Sequence, residues 1–417
     1  MKKMKFSMTV QIMIGMAVGM LLGICLGDKV KDIKLIGDIF LRLIQMSVVV
    51  MIMGAVIESV ANLDPKDLGR FGVKMLFWFL LTTVIAAVIG GVLGQIFLPG
   101  KGLSLSSSNQ TVQVPDTGVY SMILDFVPSN IVDSMANSNM IQVIVFSILF
   151  GISLGSYCAR KNNSQLPGVI KEFNEVILGI VGRVMKIAPL GIGALLAYTT
   201  GTTGVKVIMP LVKFLLILGC GSFLYLGCMI VLVSLYCKSN PVNVGKRMLN
   251  MTIVAFTTTS SAVTLPVEIE DSEKKLGISK KVTGIVIPLA MTLNSNGLAM
   301  FLALSCITIS QIYGVPLHTT QLVRIIVLST LSCLGTVTVP GGGLVALATV
   351  VPALGLPLES IAFLFSIDWF SGMFRTILNV DTDVLVAMII AKDEKELDYE
   401  ILNGKQMPDC RDRKDIV

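Results

Sequence analysis

The stretch Ser366–Asp383 reads Ser-Ile-Asp-Trp-Phe-Ser-Gly-Met-Phe-Arg-Thr-Ile-Leu-Asn-Val-Asp-Thr-Asp, and apolar residues follow it as far as Ile390. Four polar residues recur along it at spacings of seven, four and four, namely Asp368, Arg375, Asn379 and Asp383. On a helix, this spacing places them close to one face. The apolar flanks are long enough for a bilayer, where ionisable side chains line a cavity or an ion path more often than they face lipid. The stretch therefore predicts a membrane helix with a polar functional face.

Two side chains on this face suit opposite charges. The planar guanidinium of Arg375 matches the geometry of a carboxylate. Asp383, two helical turns further on, suits a bound cation. The alternative is an ion pair that only holds helices together. The hypothesis to test is that one helix binds both a substrate anion and a coupling cation.

The composition defines the class of protein. The chain has 417 residues, of which 53% are hydrophobic and 14% are charged, and its mean hydropathy is +0.81. These values are typical of a polytopic α-helical membrane protein. Eight cysteines occur singly, and the single histidine, His318, lies in a predicted loop. The sequence thus argues against a metal cluster, a disulfide framework and histidine catalysis.

Apolar segments alternate with polar connectors. The predicted spans are Met8–Gly27, Ile36–Asn62, Met75–Leu98, Ile131–Tyr157, Val169–Tyr198, Val207–Tyr236, Val282–Ile312 and the helix that contains Arg375. Placing the basic Met1–Lys5 inside also places the basic connectors around Lys66, Arg160 and Lys238 inside, whereas Lys29–Lys34 disagrees. We therefore expect both termini in the cytoplasm. The first span lacks a cleavage pattern and is interpreted as a retained helix.

Two segments break the alternation. Met248–Val267 is apolar at both ends, carries Thr257–Ser261 in its middle and has basic flanks. A full crossing would violate the charge rule, so a re-entrant hairpin with a polar tip is predicted. Gln321–Leu354 repeats this pattern from the other side around Gly335–Gly343. Hairpins of opposite orientation are typical of an inverted-repeat transporter with its site near the bilayer midplane.

Each of these features also has a structural explanation. The hydroxyl groups of Thr257–Ser261 could satisfy helix carbonyls in a packed bundle. The glycines of Gly341–Gly343 could form an ordinary turn. The charges from Glu268 to Lys281 are interpreted as a solvated cytoplasmic loop.

Four motifs, in order, resemble those of the dicarboxylate/amino acid:cation symporter family, the glutamate transporter homologues. They are Ala255–Pro266, Asn294–Gly297, Gly335–Gly343 and Asp368–Asp383. The resemblance extends from Lys5 to about Ala391. It implies an all-α polytopic membrane protein with eight transmembrane helices and two re-entrant helical hairpins of opposite orientation. It also implies a homotrimer that works by an elevator mechanism.

The resemblance further implies a division of the chain. Scaffold helices 1 and 2 would occupy residues 1–70, and transport-domain helix 3 would occupy residues 71–99. An external loop and scaffold helices 4 and 5 would occupy residues 100–203. The rest of the transport domain would occupy residues 204–393, with the second hairpin as its gate, and residues 394–417 would form a cytoplasmic tail.

Site residues follow by the same resemblance. The implied substrate contacts are Ser260, Ser261, Val339, Gly343, Gly372, Arg375, Thr376 and Asn379. Arg375 would pair with the distal carboxylate of the substrate. The implied cation ligands form three sites: Asp383 with the backbone of Asn294 and Asn379, then the backbone carbonyls of Thr292 and Thr336, and then Thr82 and Thr83 with the side chain of Asn294 and with Asn296.

The chain departs from the family pattern at several of these positions. Gly372 stands where members that transport amino acids usually have an aspartate for the substrate ammonium, so a substrate without an amino group is expected. Asn296 replaces the aspartate of the signature, which predicts a weakened third cation site. Leu298 replaces a usual threonine. Asp381 is an additional carboxylate that could alter the preference for protons or sodium.

The predicted function is secondary active symport of a small dicarboxylate or an acidic amino acid (glutamate, aspartate or a C4-dicarboxylate) across the cytoplasmic membrane with sodium or a proton. Two alternatives stay open: a passive anion channel, and a family member for a neutral amino acid with altered or absent sodium coupling. An aspartyl hydrolase is discounted, because Asp368 and Asp383 would lie roughly 22 Å apart on one helix. We expect no enzymatic activity, no nucleic-acid partner and no cofactor, with Na⁺ as the candidate coupling ion. The expected partners are a small anionic substrate and the lipid bilayer.

Overall fold

The structure is a computed structural model that describes residues 8–61, 70–102, 127–137, 140–161, 164–203, 208–333, 342–357, 360–365 and 367–403. Within these ranges, the regular elements are α-helices and one 3₁₀ helix, Gly27–Ile33. An isolated antiparallel bridge joins Ile278 to Leu397. The predicted all-α class is confirmed for this part of the chain.

Seventeen α-helices occur in the described ranges. They are α1 (Met8–Leu26), α2 (Lys34–Ala61), α3 (Arg70–Phe97), α4 (Ile131–Ala136), α5 (Met140–Arg160), α6 (Leu166–Met185), α7 (Ala188–Thr203), α8 (Ile208–Tyr236), α9 (Pro241–Thr258), α10 (Ser261–Lys274), α11 (Lys280–Leu293), α12 (Asn296–Ile312), α13 (Thr319–Leu331), α14 (Gly342–Ala353), α15 (Ile361–Phe365), α16 (Asp368–Asp393) and α17 (Tyr399–Leu402).

Several of these helices have the length and composition of membrane spans. In the described part of the chain, four segments qualify, namely Gly72–Phe97, Gln142–Arg160, Met209–Tyr236 and Lys280–Ile312. The pair α6 and α7, bent by 52° at its break, adds a fifth if it crosses as one. Large apolar side chains such as Leu190 and Met209 are 70% and 72% exposed, which suits contact with lipid.

The helices pack in two groups. In the first, α1 lies against α7, and α2 lies against α5, α6 and α7. Small residues allow this close approach: a Cβ built on Gly15 would lie 2.3 Å from the carbonyl oxygen of Pro189. In the second group, α3 packs on α12, and α16 packs on α8, α9, α11 and α12. The polar motifs on α9 to α12 and on α16 belong to this second group.

The charged segment from Glu268 to Lys281 does not form the expected solvated loop. Helix α10 continues through it to Lys274, and α11 begins at Lys280. Glu268 is 0% exposed and Asp271 is 4% exposed. The prediction was wrong because α10 is packed against α9, α11 and α16, which a local run of charges does not reveal.

Candidate functional site

Arg375 lies two helical turns into α16 and is 8% exposed. Its Nη2 donates to Oδ1 of Asp368 at 2.7 Å and to the backbone oxygen of Asp368 at 3.2 Å. The guanidinium carbon lies 4.5 Å from the centroid of the Phe301 ring. A carboxylate and a ring face together compensate for the burial of this cation. The guanidinium is therefore held in one orientation.

Two glycines lie against this guanidinium. A Cβ built on Gly343, in the first turn of α14, would lie 1.3 Å from Nη1 of Arg375. A Cβ built on Gly372 would lie 3.3 Å from Nη2 and 3.8 Å from the Cβ of Thr259. Position 372 thus faces both the guanidinium and the turn between α9 and α10. The first turn of α14 thus lies against the guanidinium, and the turn that precedes α10 lies close to it; the N-terminal end of a helix favours anions.

The turn between α9 and α10 is short and strongly bent. Thr259 has a positive φ of 51°, and Ser260 caps α10 by accepting a bond from the backbone N–H of Val263 at 3.4 Å. Ser261 is the first residue of α10 and is buried. Thr257 and Thr258 donate to carbonyl oxygens one turn earlier in α9. The hydroxyl groups of Thr257 and Thr258 thus satisfy carbonyl oxygens of their own helix. Ser260 and Ser261, by contrast, lie at the N-terminus of α10.

The break between α11 and α12 is hydrogen-bonded to α16 and packs closely against it. The backbone N–H of Gly297 donates to Oδ1 of Asn379 at 2.8 Å. A Cβ built on Gly297 would lie 2.2 Å from the carbonyl oxygen of Arg375, so only glycine allows this approach. Thr376 donates to the carbonyl oxygen of Gly372 at 2.8 Å. The side chains of Asn379 and Thr376 are therefore both hydrogen-bonded to backbone atoms in this structure.

Asn294 is the centre of a buried hydrogen-bond network. Its Oδ1 accepts from Thr82 at 3.1 Å, from Thr83 at 3.3 Å and from Nδ2 of Asn296 at 2.9 Å. Its Nδ2 donates to Oδ1 of Asp383 at 2.7 Å. The network brings together α3, the α11–α12 break and α16, which are distant in sequence.

Asp383 provides the carboxylate of this network and is 0% exposed. Among the described residues, its Oδ2 has no hydrogen-bond partner. A buried carboxylate oxygen without a partner is costly, and a cation or a proton would satisfy it. In the same part of the chain, no group of three or more His, Cys, Asp or Glu could hold a metal ion. The single unpartnered carboxylate oxygen of Asp383 is an atom that could bind a cation such as Na⁺.

The other predicted residues have different outcomes. Thr292 donates to the carbonyl oxygen of Leu289 at 2.9 Å, so its hydroxyl is used within α11. Thr336 and Val339 lie outside the described residues. The structure does not bring Thr292 into the Asn294 network, and its predicted role through a backbone carbonyl stays a prediction.

Sequence reasoning missed three residues that contribute to the site. Phe301 lies under the guanidinium, and nothing in its apolar segment distinguishes it. Tyr225 donates to the carbonyl oxygen of Thr82 at 3.1 Å and lies 3.5 Å from Oδ1 of Asn296. Thr252 donates to both oxygens of Asp381, at 3.0 and 2.9 Å. Of the three, only Tyr225 carries a signal in the sequence, because it is a polar side chain within an apolar span.

Comparisons with known proteins place these features in a family. The model of the sodium:dicarboxylate symporter family matches residues 8–393. A proton/glutamate-aspartate symporter of Escherichia coli (strain K12) is 32% identical over 418 residues, which cover 95% of each chain. A C4-dicarboxylate transport protein of Bacillus subtilis (strain 168) is 30% identical over 404 residues, which cover 94% of each chain. A proton/sodium-glutamate symport protein of Bacillus caldotenax is 30% identical over 415 residues, or 96% of this chain and 97% of its own. The buried arginine, the broken helix and the Asn294 network therefore belong to a member of the sodium:dicarboxylate symporter family.

Proposed function

We propose that this chain is a secondary active symporter that moves a small dicarboxylate or an acidic amino acid across the cytoplasmic membrane together with sodium or a proton. The observation that carries the proposal is the buried guanidinium of Arg375, which lies against the first turn of α14 and close to the turn that precedes α10. A substrate carboxylate would bind there. Asp383 lies eight residues further along α16, roughly 12 Å away at 1.5 Å per residue. Anion and cation would thus bind to one helix, so that each affects the affinity for the other.

The surroundings of Arg375 favour a dicarboxylate without an amino group. Position 372 faces the guanidinium, and it is a glycine rather than an acid. The nearby carboxylate of Asp368 is already bonded to Arg375. A substrate ammonium would therefore be buried without a counter-charge of its own, which is costly. The relatives' names include both a glutamate-aspartate symporter and a C4-dicarboxylate transport protein. We favour the second kind of substrate.

The cation is proposed to bind at Asp383. Its Oδ2, which has no hydrogen-bond partner among the described residues, supplies the kind of oxygen that hard cations prefer, whereas Asn294 directs its amide nitrogen to the other carboxylate oxygen. Around Asn296, by contrast, the network consists of amides and hydroxyls that bond to one another. Because that region has no formal charge from residue 296, a third cation there would bind weakly.

The two packing groups support the proposed division into a scaffold and a transport domain. The scaffold would consist of α1, α2 and α4 to α7. The transport domain would contain α3 and α8 to α16, with re-entrant hairpins formed by α9–α10 and α13–α14 and with the second hairpin as the gate. We further propose a homotrimer with an elevator motion and both termini in the cytoplasm.

Transport in proteoliposomes tests the function. An inward sodium or proton gradient is expected to drive labelled succinate or malate to a higher concentration inside than outside. Arg375→Ala is expected to abolish this accumulation. Influx that never exceeds the outside concentration under any ion gradient would instead indicate the passive anion channel. Accumulation of neutral amino acids alone would contradict the dicarboxylate assignment.

A further inference from the structure

A groove of about 660 Å³ lies where α5 ends and α6 begins. It belongs to the first packing group, whereas Arg375 and the Asn294 network belong to the second. Its lining on the α5 side includes Phe150, Leu154, Tyr157 and Lys161. Neither the proposed symport nor the family resemblance assigns a role to this groove.

One face of α5 forms a wall of the groove. Its lining residues follow one another at spacings of four, three and four, which places them on one side of a helix, namely Phe150, Leu154, Tyr157 and Lys161. Lys161 continues this face beyond the last residue of α5, because its backbone N–H donates to the carbonyl oxygen of Tyr157 at 3.1 Å. Phe150 and Tyr157 are exposed, and Leu154 is buried. The wall therefore changes from apolar to cationic toward the end of the helix.

The depth of this wall in a bilayer follows from the span that α5 contains, Gln142–Arg160. Lys161 comes directly after that span. At 1.5 Å per residue, Leu154 lies roughly 10 Å and Phe150 roughly 16 Å further into the membrane. Half of the hydrocarbon core is roughly 15 Å thick. With Lys161 at the level of the lipid headgroups, the apolar part of the groove thus lies at the level of the acyl chains.

Lys161 gives the groove its positive charge. Its Nζ donates to the hydroxyl oxygen of Tyr157 at 3.3 Å and lies 5.7 Å from the centroid of that ring. The described residues that line the groove include no acid. In the same part of the chain, no carboxylate pairs with Lys161 or with its exposed neighbour Arg160. A negative group from outside the chain would therefore complement this end of the groove.

Polar groups complete the same end of the groove from the α6 side. Ser164 accepts from the backbone N–H of Leu166 at 3.4 Å. The side chain of Gln165 makes no capping hydrogen bond, although this residue directly precedes α6. The N-terminal end of a helix favours an anion, and an amide side chain can donate to one. The cation, the amide and the start of α6 thus all suit a phosphate group.

We propose that this groove binds an anionic phospholipid, with the lipid phosphate at Lys161 and an acyl chain along Phe150 and Leu154. The phosphate supplies the charge that the lining lacks, and the chain covers apolar surface at the matching depth. A soluble anion would satisfy only the first of these requirements. The basic connector after α5 is expected on the cytoplasmic side, where basic pockets between membrane helices bind acidic headgroups. Binding of this lipid does not depend on the proposed symport.

Native mass spectrometry of the purified, delipidated protein tests the proposal with phosphatidylglycerol and phosphatidylcholine of identical acyl chains. The wild type is expected to bind phosphatidylglycerol more tightly than the zwitterionic lipid. Lys161→Gln is expected to weaken phosphatidylglycerol binding roughly fivefold, the effect of one basic residue at an anionic lipid surface. Lys161→Arg should bind as the wild type, because it keeps the charge. The matched control is Lys246→Gln, which removes an exposed lysine of α9 in the second packing group and should leave binding unchanged.

Equal affinity of Lys161→Gln and the wild type for phosphatidylglycerol would overturn the proposal. Equal affinity of the wild type for the two lipids would also overturn it, because the groove would then not select the charge of the headgroup. Displacement of phosphatidylglycerol by inorganic phosphate would identify a site for soluble anions instead. A change in the oligomeric state of Lys161→Gln without added lipid would identify a contact between copies of this chain, which likewise contradicts a lipid site.

Discussion

Nη1 of Arg375 occupies the space into which a side chain on Gly343 would project, since a Cβ built there would lie 1.3 Å from that nitrogen. The cation on α16 is thereby in contact with the backbone of α14. A substrate carboxylate that binds to this guanidinium would also meet the first N–H groups of α14. The position of α14 and the occupancy of the anion site are therefore expected to depend on each other.

Gly343→Ala is expected to weaken dicarboxylate binding. The added methyl group would overlap the end of a flexible side chain, so we expect the guanidinium to move while the protein still folds. Affinity is measured by calorimetry on the purified protein. The control is Gly284→Ala on α11, where an added Cβ meets nothing within 4 Å and the helix gains up to about 1 kcal/mol. Equal affinity in Gly343→Ala and the wild type would show that the guanidinium position does not matter.

Gly372→Asp is expected to shift the preference from dicarboxylates toward amino acids. The new carboxylate would face Nη2 of Arg375 and Thr259, where it could bind a substrate ammonium. Competition of succinate, malate, aspartate and glutamate against one labelled substrate measures the order of affinity in both proteins. A wild type that already binds glutamate more tightly than malate would contradict the reasoning from position 372.

Asp383→Asn is expected to remove the cation dependence of substrate binding. The amide keeps an oxygen that can accept from Asn294, so the packing survives while the charge is lost. Substrate affinity is measured in sodium and in choline at two pH values. Asp393→Asn, near the C-terminal end of the same helix, serves as the control. An undiminished effect of the cation in Asp383→Asn would place the coupling ion elsewhere.

Asn296→Asp is expected to make thermal stability depend on sodium. The change removes the bond that Nδ2 donates to Asn294 and buries a carboxylate next to Asn294, which is itself bonded to Asp383. In choline, we expect a loss of at least roughly 1–3 kcal/mol from the free energy of unfolding, since that is the cost of an unsatisfied buried polar group and a charged group costs more. Sodium is expected to restore most of this lost stability. Thermal unfolding of this variant and of the exposed control Asn243→Asp checks the expectation, and a variant as stable as the wild type in choline would refute it.

Local periodicity predicted the parts of the site that lie on one element. The spacing of Asp368, Arg375 and Asp383 indicated one face of a helix, and they occur together on α16. Asn294–Gly297 was predicted to interrupt its span, and the break between α11 and α12 occurs there. Both features depend on neighbouring residues, which a single sequence contains.

Contacts between distant elements could not be predicted from the same information. Glu268 stands among charges that resemble a surface helix, and only packing by α9, α11 and α16 buries it. Tyr225 reaches Thr82 from a helix more than a hundred residues away. Arg375 and Asp368 were placed on one face, but the bond between them depends on the side-chain orientations. Such contacts are fixed by the tertiary fold rather than by local pattern.

The most direct measurement is calorimetric titration of the purified protein and of Arg375→Ala with succinate and malate, in sodium and in choline at two pH values. We expect binding to the wild type that strengthens with the coupling cation. We expect no detectable binding to the variant, because a buried carboxylate would lose its only charged partner among the proposed contacts. Unchanged affinity of the folded variant for both acids would show that Arg375 does not bind the substrate.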